Sequence, residues 1–127
     1  MPYTTNYQCL PGLVAGADLS AAQFKVVKLA TTAGQVVLAA SSVLTQAFVL
    51  MNNPKSGEAA EVAYSGVVKA LCGTSNLAIG ELVGVTSTST VVDTTTDNRL
   101  ILGKALEAST AVNDLVSVLL IPGGVRY

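Results

Sequence analysis

Short apolar runs recur along the chain, separated by Gly, Pro, Asn and Asp at intervals of about ten residues. No run keeps a helical period over any useful length. The pattern predicts strands over 24–30, 35–40, 46–52, 59–71, 82–86, 89–93, 99–107 and 115–121. The connections carry turn chemistry: Ala33-Gly34, the segment 52–57, Asp97-Asn98 and Asn113-Asp114. Gly66 interrupts the fourth run and predicts a bulge or a bend. Residues 18–23 have room for one helical turn. The expected fold is all-β, a compact barrel or sandwich.

Several runs are apolar on both faces. In 115–121, only Ser117 marks an outside. A strand buried on both faces belongs inside a layered fold or under a subunit contact, and the second is the more economical in so small a domain. The runs also echo one another. Residues 19–27 align with 77–85, 35–37 with 90–92, 48–50 with 101–103, and 56–62 with 112–118. A duplicated β-unit explains this, and so does the tendency of any Val- and Ala-rich sequence to align with itself.

Composition narrows the chemistry. Of 127 residues, 50% are hydrophobic and 12% charged, against about 25% charged in an ordinary soluble domain. Mean hydropathy is +0.55. So apolar a chain is expected to fold rather than stay disordered, and to cover part of its surface with copies of itself or a partner. Seven Lys and Arg against eight acids leave no basic footprint, so nucleic acid is not an expected partner. No membrane segment is expected either, because no apolar run approaches about 20 residues. Four Tyr and two Phe are too few for the girdles of a membrane barrel. The first residues lack the charged and apolar regions of a secretory signal.

With no histidine, a Ser-His-Asp triad, a Cys-His pair and imidazole ligation are excluded. Cys9 and Cys72 stand far apart: two buried apolar side chains, or one disulfide. Neither a metal site nor a cofactor is expected. Residues 93–98 offer oxygen ligands without the order of a calcium loop. Glu58 and Glu61 would point to opposite faces of a strand, unlike a paired acid and base. The hydroxyl-rich run 86–90 reads as a solvated hairpin or as a face for a partner. No catalytic constellation emerges, so the chain is not expected to be an enzyme.

The expected organisation is an extended arm over 1–17, a β-domain over 18–121 and a short tail over 122–127. The arm is apolar, aromatic and without period. Such a segment either crosses another protein's surface, where Tyr is enriched, or folds back along its own domain. The candidate interface residues are Tyr3, Thr4, Thr5, Asn6, Tyr7 and Leu10 in the arm, with Arg126 and Tyr127 in the tail.

An ordered series of short motifs adds a resemblance. Gly16-Ala17-Asp18-Leu19-Ser20-Ala21 precedes a strand ending in Val27-Lys28-Leu29. Then come Asn53-Pro54, Gly57-Glu58-Ala59-Ala60-Glu61-Val62 and Ser65-Gly66-Val67-Val68-Lys69. Gly80-Glu81-Leu82-Val83, Leu102-Gly103-Lys104-Ala105-Leu106-Glu107-Ala108 and Asp114-Leu115-Val116-Ser117-Val118-Leu119-Leu120 complete it. In order and spacing this series, over roughly 12–121, resembles the small β-rich capsid decoration (cement) proteins of tailed bacteriophages. The resemblance implies a structural virion protein, made in the host cytoplasm, that binds the outside of an assembled capsid. It implies the major capsid protein as partner, a homo-oligomer with a trimer favoured, and no catalysis or cofactor. The alternative is a virion-surface module that binds a host receptor or glycan.

Overall fold

The structure, a computed structural model, describes residues 5–39, 47–86, 88–93 and 99–126. All eight expected runs form strands: β3 (Val26–Leu29), β4 (Gln35–Leu38), β5 (Ala47–Leu50), β6 (Val62–Leu71), β7 (Leu82–Val85), β8 (Val91–Asp93), β9 (Arg99–Ala105) and β10 (Leu115–Arg126). Two more precede them, β1 (Thr5–Leu10) and β2 (Val14–Ala15). The expected helical turn at 18–23 is instead a pair of tight turns, with Ala22 N donating to Leu19 O and Lys25 N to Ala22 O. Gly66, at φ +97°, puts a backbone irregularity where the sequence placed a bulge or bend.

The fold is all-β. All strands belong to one mixed sheet, neither a sandwich of two sheets nor one closed barrel. Its ladders run β2-β4-β3-β5-β6-β10-β9-β7-β8, with β1 pairing β6 off that path. The two ends do not pair with each other. Each curls back toward the central strand β6. At one end, β2 forms the bridge Val14↔Ala59, just ahead of β6. At the other, Val91 of β8 bridges Cys72, just beyond β6. The sheet thus makes two rolls that share β6.

The rolls are copies of one plan. Val27↔Leu38 and Val26↔Val49 in the first roll become Val83↔Asp93 and Leu82↔Lys104 in the second. Val49↔Ala63 becomes Lys104↔Leu119. Each position recurs 55 or 56 residues later. The seams repeat as well. Ala15 N donates to Glu58 O and Cys72 N to Asp114 O, while Gly57 N returns to Ala15 O and Asn113 N to Cys72 O. Even the left-handed backbone recurs, at Phe24 (φ 68°) and Gly80 (φ 87°), and at Gly57 (φ 83°) and Asn113 (φ 71°). Chance self-alignment of apolar residues would not reproduce ladder registers and turn conformations, so the duplicated unit stands. β6 closes the first unit and opens the second. By the same logic, β1 and β2 together take the part in roll one that β6 takes in roll two.

Each roll has its own core. Leu19, Val27, Val36, Phe48, Leu50 and Val62 fill the first. Their counterparts Leu77, Val83, Val91, Ala105 and Val118 fill the second with Cys72 and Val116. Val26, Val49 and Ala63 point out of roll one, yet they are 0% exposed and belong to the second cluster. Roll two covers them. Residues on both faces, Val26 and Val27 of β3, Phe48 and Val49 of β5, and Val62 and Ala63 of β6, are therefore buried within one chain. The subunit contact expected from their apolar faces is not needed there.

Turn chemistry secures both units. Glu58 accepts from Lys55 N at 2.7 Å, and Asp114 accepts from Ala111 N at 3.0 Å and Thr110 N at 2.9 Å. The amide donors at Thr110 and Ala111 hold the Asp114 carboxyl below its usual range.

Candidate interaction surface

The described part of the expected arm lies along its own sheet. β1 pairs antiparallel with β6, placing Leu10 opposite Val62, Cys9 opposite Ala63 and Thr5 opposite Val67. Side chains reinforce the backbone. Tyr7 donates its hydroxyl to Glu61 Oε1, and Tyr64 donates to Gln8 Oε1 at 2.8 Å. Cys9 Sγ lies 3.9 Å from the same Glu61 oxygen. The Tyr7 phenol is pushed up to about 12, first by donating to that carboxylate, then by burial and the Glu61 charge. Burial, then the same charge, pushes the Cys9 thiol up. Both shifts favour the protonated forms, so the phenol remains a donor to Glu61. Both cysteines are free, with Cys72 inside the second core.

Among the candidate interface residues, Tyr7 packs against the second core and Leu10 against the first. Both serve the chain's own fold. Thr5 and Asn6 lie in β1, and Arg126 ends β10 opposite Arg99. Tyr3, Thr4 and Tyr127 lie outside the described residues. The tail expected over 122–127 is strand through Arg126. Among the described candidates, Tyr7 and Leu10 thus face different cores.

It assembles a different surface. Leu82, Lys104 and Leu119 stand side by side across β7, β9 and β10. Their neighbours along each strand, Val83, Ala105 and Val118, are 0% exposed and point into roll two. Strand alternation therefore turns the first three outward. Leu119 is 41% exposed, and Ile121, two residues on along β10, is 36% exposed. Leu82 and Leu106 are half-buried at the border of this row. In roll one, Leu29 is 49% exposed and Leu38 39%, and in the connections of roll two Ile79 is 72% and Val112 58% exposed. Sequence reading marked 115–121 as two-faced, but not which residues flank it, because Leu82 and Lys104 reach β10 only through the ladder.

Among the described residues, no three His, Cys, Asp or Glu side chains stand close enough to hold a metal ion. No helix there is long and apolar enough to cross a membrane. No protein-family model matches the chain, and no match is found among curated proteins.

Proposed function

We propose that this chain is a structural protein that coats the outer surface of a bacteriophage capsid and stabilises it, acting as a small homo-oligomer. The observation that carries the reading is the distribution of apolar surface. A chain with 12% charged residues seals two cores, yet leaves Leu29, Leu38, Ile79, Val112, Leu119 and Ile121 exposed. Surface of that kind suits contact with other proteins. The ordered motifs over 12–121 support the same reading. Repetition over a shell lets a modest contact per copy add up, because each bound neighbour raises the effective concentration of the next contact.

The capsid contact is assigned to the ends of the chain, the segment before Thr5 and the end of β10. Cosedimentation with bare particles through a sucrose cushion tests both statements. Full-length protein is expected to pellet to a saturating, fixed ratio with the major capsid protein. A chain lacking residues 2–4, which keeps β1 intact, is expected to lose most of that occupancy, with circular dichroism showing that its sheet persists. Protein left in the supernatant would refute capsid binding. Undiminished occupancy after the deletion would refute the role of the arm.

A further inference from the structure

The exposed row on roll two has a covered counterpart inside the same chain. Leu82, Lys104 and Leu119 occupy the places that Val26, Val49 and Ala63 hold in roll one, with the same cross-strand pairing. By offset along the chain alone, Leu106 falls at the place of Met51, which is 9% exposed. In roll one the three paired residues are 0% exposed, because roll two is seated on them. The seating includes directed bonds. Val26 N donates to Ser89 O at 2.8 Å, and Leu71 N donates to Phe24 O at 2.9 Å. The surface of roll two that does the seating also has a counterpart. Val85 is 5% exposed beneath the junction, and its equivalent Leu29 is 49% exposed. Roll two therefore repeats a socket, and roll one repeats part of what fills that socket.

We infer that a second copy of this chain docks head to tail, its roll one seated on roll two of the first as the rolls are seated within the chain. The contact is heterologous, since different surfaces meet, so it continues into a ring or an open filament. Lys104 is the one charged member of the paired row, where roll one has Val49. Burying its ammonium costs desolvation, which keeps the contact between chains weaker than the junction within one. The inference deepens the oligomer named above, but does not depend on capsid binding. Association is read without particles, so either statement can fail alone.

The test is site-directed cross-linking in solution, in a Cys9→Ser background. The backbone contact between Val26 and Ser89 maps between copies onto Leu82 of one chain and Gly34 of the next. Gly34→Cys is tolerable because Ser89 holds the same backbone conformation, φ 65° against 80°. With a short bismaleimide, the double variant Leu82→Cys/Gly34→Cys is expected to give covalent multimers. Each single variant is expected to give none. Leu119→Asp should weaken association by roughly tenfold or more, and Lys104→Val should strengthen it. Far-ultraviolet circular dichroism checks that both stay folded. A double variant that stays monomeric at hundreds of micromolar would overturn the proposal. Efficient cross-linking by Leu82→Cys alone would also overturn it, since that marks a symmetric face-to-face dimer.

Discussion

Gly103→Ala is expected to destabilise the protein by about 3 kcal/mol or more, although it adds one methyl group. Gly103 pairs with Leu120 across β9 and β10. A Cβ there would stand 2.1 Å from Leu119 O and 2.9 Å from Leu119 C. Those are backbone atoms of the adjoining strand, so no side-chain rotation relieves the clash. The β9–β10 ladder must open, and it is one wall of roll two. For a chain of this length, that loss corresponds to a fall in melting temperature of roughly 10 °C. Gly57→Ala is the control: its Cβ meets nothing within 4 Å, although φ is +83°. That change costs only the backbone strain, about 1–2 kcal/mol. Equal melting temperatures for Gly103→Ala and the wild type would show that the two strands do not approach as described.

Phe48→Ala probes the same place in the other roll, by opposite means. Phe48 occupies in roll one the ladder position of Gly103 in roll two, and it fills the first core at 7% exposure. Removing the ring leaves a cavity between Val27, Leu50 and Val62, at a cost of about 3–5 kcal/mol. The two variants together test whether the rolls fold as one. They share β6, and Val26, Val49 and Ala63 of roll one sit in the core of roll two. Both variants should therefore shift a single cooperative unfolding transition, seen alike by fluorescence and circular dichroism. Two separate transitions, each moved by one variant only, would contradict the shared strand.

Much of this fold is legible from residue patterning, because strand alternation and turn residues are local signals. The eight runs of Val, Leu and Ala between Gly, Asn and Asp turns all became strands. β1 escaped because Tyr7, Gln8 and Cys9 show no alternation and Pro11 follows closely. Its pairing is fixed by β6, some fifty residues away, through Glu61 and Tyr64. The repeat is visible but misaligned at two points: 19–27 against 77–85 sets Val26 against Gly84, whereas the ladders set it against Leu82. Matching apolar residues set Phe48 against Ile101, whereas the ladder sets it against Gly103. Roll two meets the demand for space at that position with backbone instead of a ring, and hydropathy alone does not register that exchange.

The candidate surface was less legible for a related reason. The apolar faces of 24–30, 46–52 and 115–121 look alike in sequence. The first two are covered by roll two and the last is not. That difference depends on which unit comes second in the chain. In the sequence, the arm residues Tyr7 and Leu10 stand out as aromatic and apolar groups outside the periodic region. Their partners turned out to be the chain's own two cores.

The most direct test of the coat function is the heat resistance of the shell itself. Genome-filled particles, bare or saturated with the protein, are warmed in the presence of a DNA-binding dye, and the temperature of genome release is read. A stabilising coat predicts release at a clearly higher temperature from the saturated particles, with Leu119→Asp protein giving a smaller rise. Release at the same temperature from bare and fully occupied particles would contradict it.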